Sequence, residues 1–179
     1  MQQQFPRAYV AIDFRMTPNA VQTRHNGRLA LLGWLALCFG VGAVSSIFAA
    51  RSIPTWYAAL EKPPLNPPNQ IFGPVWTLLY ALMAVAAWIV WKTRSSPCRT
   101  RGLRLFLIQL ALNFLWTWIF FGTHQMLTAF VDLIALWTAI LLTILAFRRM
   151  SHTAAWLLVP YLVWVTFAGY LNLAIWKLN

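Results

Sequence analysis

Residues 54–80 read PTWYAALEKPPLNPPNQIFGPVWTLLY. Five of the chain's ten prolines fall between positions 54 and 68, and a sixth, Pro74, opens an apolar run that continues past Tyr80. A loop this long without a repeat is either functional or disordered. This one carries Trp56, Tyr57, Leu60, Leu65, Ile71 and Phe72, which is too apolar for a solvated linker. The stretch therefore predicts an ordered lid over residues 51–71, lying on whatever the flanking segments enclose.

The flanking segments set the fold class. Of 179 residues, 60% are hydrophobic and 9% charged, and the mean hydropathy is +0.62. Soluble domains carry about a quarter charged residues. Five runs, 29–50, 72–91, 105–122, 126–147 and 154–176, are apolar and long enough for a hydrocarbon core of about 30 Å. The expected fold is an all-α membrane protein, a bundle of five transmembrane helices. A polar tail over residues 1–28, read as disordered, precedes the membrane domain over 29–179. No apolar core occurs before Leu29, which argues against an ordinary cleaved signal peptide.

The net charge of +11 would point to nucleic acid in a soluble protein. Here its distribution points to topology, and no nucleic-acid partner is expected. With five spans, eleven Lys and Arg residues fall on one side, in the tail, at 92–104 and at 148–149. Three, Arg51, Lys62 and Lys177, fall on the other. Such a bias on short segments sets orientation. It places the amino terminus on the cytoplasmic side of a bacterial membrane, with the lid facing out. A eukaryotic chain would sit instead in a mitochondrial or other organelle membrane.

A rise of about 1.5 Å per residue converts position into depth. The second span descends from the lid with Trp76 and Tyr80 one turn apart. On the third, Gln109, Asn113, Trp116 and Phe120 share a face, by the 3.6-residue period. On the fifth, Trp164, Ala168 and Leu171 share a face, with Asn172 beside them. The fourth carries Asp132, the one acid within a span. These groups converge beneath the lid on four helices. Aromatic walls with a few polar groups are the usual make-up of a small-molecule site, and indole faces suit a flat conjugated ligand. Asn113 fits a ligand contact and interhelical glue equally, whereas Gln109 reads as glue. Asp132 is a functional candidate by default, and near a helix start it also serves as a structural acceptor. Gly42, Ser46 and Ala50 form a stripe of small residues that permits close helix approach. With three acids in the chain and no Ser/His/Asp or Cys/His constellation, hydrolytic catalysis has no support. No metal spacing occurs.

With these residues assembled, the chain resembles the TspO/translocator protein family, the tryptophan-rich sensory or peripheral benzodiazepine receptor-like proteins. The matching motifs are WYAALEKPPLNPP and FGPVWTLLY, QLALNFLW and FFGTHQM, VDL, and PYLVWVTFAGYLN. The resemblance extends over roughly residues 29–179. The resemblance implies a homodimeric receptor or sensor for tetrapyrroles such as protoporphyrin IX and haem, with no required cofactor. The alternatives are a porphyrin-degrading enzyme and a tetrapyrrole or sterol transporter. Its pocket positions fall on Trp76, Tyr80, Asn113, Trp116, Trp164, Ala168 and Leu171. Arg51 and Lys62 are candidate rim contacts for propionates. Leu173 stands where the sterol motif of animal members has tyrosine, which favours tetrapyrrole over sterol. Thr128 stands where those members place a pocket tryptophan.

Overall fold

The computed structural model describes the backbone from Pro18 and the side chains from Gly27 to Asn179. The elements are α1 (Pro18–Ser52), α2 (Asn69–Trp91), α3 (Pro97–Thr117), α4 (Met126–Arg148), α5 (His152–Leu157) and α6 (Val159–Leu178). Five membrane-spanning segments result, because α5 and α6 together make the fifth. Helix α1 begins before Leu29, so the expected polar tail is helical from Pro18; residues 1–17 lie outside the described residues.

Local sequence explains the helix boundaries. Ser96 caps α3, its Oγ accepting from the Arg99 N–H at 3.2 Å, with Pro97 at the first turn. Ser151 caps α5 in the same way, accepting from Ala154. Each cap satisfies an amide that has no partner within the helix. Pro160 has no N–H to give to the preceding turn, and the expected unbroken run 154–176 is divided at Leu158. Pro74 stands farther into α2 than the sequence suggests, because α2 starts at Asn69 rather than Phe72. The carbonyl it leaves unpaired belongs to Gln70, which is exposed.

Two helices widen into a π-turn at the lid side, α1 at Ile53–Tyr57 and α3 at Trp118–Gly122. The lid is accordingly shorter than 51–71. Helical geometry continues to Ala59, and irregular backbone covers Leu60 to Pro68. In α3 the widened turn, marked by Thr123 N–H donating to the Trp118 carbonyl at 3.1 Å, advances the helix face. Phe120 and Phe121 thus both point inward. The turn into α4 is tight, with His124 at φ 60°, a left-handed conformation that histidine tolerates.

The spans close into a ring. Helix α1 packs on α2 and α3, α3 on α4, α4 on α5 and α6, and α5 on α2. Away from the lid the ring is close-packed. Ala84, Ala86 and Ala87 of α2 are fully buried, together with Phe106 and Phe147. Small side chains let helix backbones approach. Toward the lid, indoles and phenyl rings replace the alanines, and the helices separate around a cavity.

Candidate functional site

The cavity has a volume of about 610 Å³, within the range of small-molecule sites. Its walls come from α1, α2, α3 and α6, and its roof from Tyr57. Of the residues expected from depth and face, Trp76, Tyr80, Trp116, Trp164, Ala168 and Leu171 all line it. The rings fall into three groups around it. Trp76 and Tyr80 lie 5.6 Å apart at 30°. Trp116 stacks on Phe120 at 5.7 Å, and Phe72 meets Trp164 edge-on at 6.0 Å. Offset and edge-on contacts at these spacings are the favoured aromatic geometries.

Asn113 is not on the wall. It is fully buried behind Tyr80, whose Oη donates to Asn113 Oδ1 at 2.7 Å. Asp132 is buried on α4, which contributes no wall residue, so the four walls differ from those expected. The fourth wall is α1, through Phe39, Gly42, Ser46, Ala50 and Ile53 among others. The stripe of small residues was the signal for it. Gly42 is where α1 and α2 touch, and Ser46 and Ala50 face the cavity.

Two asparagines set the site's geometry. Asn172 Oδ1 accepts from Trp116 Nε1 at 3.2 Å, and Asn172 Nδ2 donates to the Met126 carbonyl at 2.8 Å. This chain fixes the plane of the Trp116 indole against α4 and α6. Ser45 Oγ and Trp164 Nε1 are buried beside the cavity with no hydrogen-bond partner. They supply a hydroxyl and an indole donor to an otherwise apolar interior.

Neither rim cation reaches the cavity. Arg51 is exposed at the end of α1 and does not line the cavity. Lys62 folds back over the roof, its Nζ donating to the carbonyls of Leu60 at 3.0 Å and Ala58 at 3.3 Å, 4.9 Å above the Tyr57 ring. The lid itself is fastened at three points. Tyr57 Oη donates to Asn66 Oδ1 at 2.8 Å. His124 stacks on Trp56 at 4.2 Å, with Nε2 3.3 Å from Ser52 Oγ. Asn179 Oδ1 accepts from the Glu61 amide at 3.0 Å, and its Nδ2 donates to the Glu61 carbonyl at 3.1 Å. That pair ties the lid to the end of α6. Replacing Asn179 with alanine removes both bonds, and amide exchange at residues 60–66 should rise roughly tenfold. Exchange at the wild-type rate would show that the lid is held elsewhere.

Among the described residues no His or Cys side chain lines the cavity, and no three of His, Cys, Asp and Glu cluster as a metal site would. The cavity presents aromatic faces and few polar groups.

Residues 34–177 match the model of the TspO/MBR family. The chain is 43% identical over 152 residues to the tryptophan-rich protein TspO of Archaeoglobus fulgidus, covering 84% of this chain and 97% of that protein. It is 42% identical over 126 residues to the translocator protein of Homo sapiens, covering 69% and 75%. It is 38% identical over 148 residues to the tryptophan-rich sensory protein of Cereibacter sphaeroides, covering 83% and 90%. The motifs that shape the lid, the aromatic walls and the α6 wall all lie within residues 34–177, and the chain belongs to the TspO/MBR family of multi-pass integral membrane proteins.

Proposed function

We propose that the protein is a membrane receptor for tetrapyrroles, which it holds in the cavity beneath the lid. The observation that carries this reading is that Trp76, Tyr80, Trp116, Phe120 and Trp164 together line one largely apolar cavity of about 610 Å³. Flat conjugated rings gain dispersion and quadrupole contacts from such walls that a saturated lipid chain does not. With Arg51 and Lys62 outside the cavity, stacking rather than ion pairing carries recognition. Ionised substituents of the ligand stay at the lid-side mouth, where water reaches them. The names of two relatives, a sensory protein and a translocator, fit a protein whose bound state is read out or passed on.

Quenching of tryptophan fluorescence by protoporphyrin IX in detergent tests the reading. Joint replacement of Trp76 and Trp164 by leucine should raise Kd at least tenfold, about 1.4 kcal/mol, whereas joint replacement of Arg51 and Lys62 by glutamine should change it less than twofold. Unchanged affinity in a folded Trp76→Leu/Trp164→Leu protein removes the pocket assignment.

A further inference from the structure

Basic side chains gather on the face opposite the lid. Two connectors meet there, one between α2 and α3 and one between α4 and α5. Gly102 brings them together. A Cβ at that position would lie 2.9 Å from Met150 Cε and 3.4 Å from the Phe147 ring, so the start of α3 lies directly against the end of α4. Basic side chains distant in sequence therefore share one face.

These side chains fall into two groups. Arg99 is used internally. Its guanidinium donates to the carbonyls of Trp91 at 3.1 Å and Thr93 at 2.9 Å and to Ser95 Oγ at 3.1 Å, which holds the connector's shape. Lys92 lies 4.3 Å over the Trp88 ring. Arg94, Arg101, Arg104, Arg148 and Arg149 are exposed. No acid among the described residues offsets them: Glu61 is in the lid on the other face, and Asp132 is buried toward the lid. Five like charges at one end of a bundle repel one another, and an anionic partner relieves that repulsion. Guanidinium groups match phosphate oxygens in a planar, bidentate fashion.

We propose that this face binds the headgroups of anionic phospholipids. Its position selects a lipid over a soluble anion. The arginines stand at the ends of α3 and α4, and directly above them Leu107, Ile108, Leu142 and Leu145 are exposed. A phosphate held by the arginines has its acyl chains laid along this apolar flank. The surface shares no residue with the cavity, whose lining lies toward the lid.

The test uses the full chain in neutral detergent. Phosphatidylglycerol should raise the unfolding temperature, and phosphatidylcholine at the same mole fraction should not. Native mass spectrometry of the wild type should show phosphatidylglycerol retained at least fivefold over phosphatidylcholine, since each basic side chain near an acidic surface is worth about fivefold in affinity. Joint replacement of Arg101, Arg104, Arg148 and Arg149 by glutamine should abolish the preference. Joint replacement of Arg51, Lys62 and Lys177 by glutamine, on the lid side, should leave it intact. Equal retention of the two lipids by the wild type overturns the proposal without any variant having to fold. So does an equal thermal shift with inorganic phosphate, and so does a preference lost only in the lid-side variant.

Discussion

Replacing Gly42 with alanine should lower both thermal stability and tetrapyrrole affinity, although alanine is the better helix former. A Cβ at this position would lie 2.6 Å from Tyr80 Cε2, 2.8 Å from Cδ2 and 3.2 Å from Cζ. Tyr80 can yield only at a cost. Its ring is buried, and its hydroxyl is committed to Asn113 at 2.7 Å. The added methyl must either rotate the ring, breaking that bond and pushing the tyrosine into the cavity, or drive α1 away from α2 and open the wall. Overpacking of this kind costs about 1–3 kcal/mol, which exceeds the gain of up to about 1 kcal/mol in helix propensity. The expected loss of affinity for protoporphyrin IX is about tenfold. Gly33 provides the control, because a Cβ there meets nothing within 4 Å. Gly33→Ala should be neutral or slightly stabilising and should leave binding unchanged. If the two variants behave alike, the close approach at Gly42 does not govern the α1–α2 contact. A further variant isolates the cause: Tyr80→Leu on the Gly42→Ala background should recover part of the stability, since it vacates the space that the methyl claims.

Asn113→Ala should destabilise the fold more than it weakens binding. The residue is fully buried and is separated from the cavity by Tyr80. Its loss orphans the Tyr80 hydroxyl in an interior where water is scarce, and an unpaired buried group costs about 1–3 kcal/mol. Tyr80→Phe removes the other end of the same bond. In a double-mutant cycle the two substitutions should couple by about 0.6–2 kcal/mol, the range for hydrogen bonds between membrane helices. The cavity loses no wall atom in Asn113→Ala, so ligand affinity should fall only several-fold, through loosening of the Tyr80 ring. Strict additivity in the cycle, or an affinity loss as large as that of the Trp76→Leu/Trp164→Leu protein, would mean that Asn113 contacts the ligand directly. The geometry separates the two roles that the sequence left equal for this residue.

Much of the molecule is legible in the amino-acid sequence. Hydropathy over five runs specifies the spans, because a chain in hydrocarbon must satisfy its backbone polar groups internally and a helix does so. Ser96 with Pro97 and Ser151 also mark helix starts, but the expected spans from 105 and 154 pass over them, because hydropathy does not register a polar first turn; α3 begins at Pro97 and α5 at His152. Helical periodicity places Trp76, Tyr80, Trp116, Trp164, Ala168 and Leu171 on faces at matching depth, and all six line the cavity. Periodicity tells which residues of one helix look the same way, but not which neighbour they meet. In a soluble bundle the polar face would identify the outside. In a membrane span the lipid-facing side is as apolar as the buried side, so hydropathy cannot tell α1 as a wall from α4 as a bystander. That distinction came from the ring order of the helices. The same gap hid Asn113 behind Tyr80 and turned Lys62 onto its own roof, since depth and charge are properties of single positions. The lid, expected over residues 51–71, shows the division plainly. Its prolines and aromatic residues announce an ordered cover, whereas the points where it is fastened, Asn179 at the end of α6 and His124 between α3 and α4, lie far off in sequence. They meet it only because the folded bundle brings the lid-side ends of its helices together.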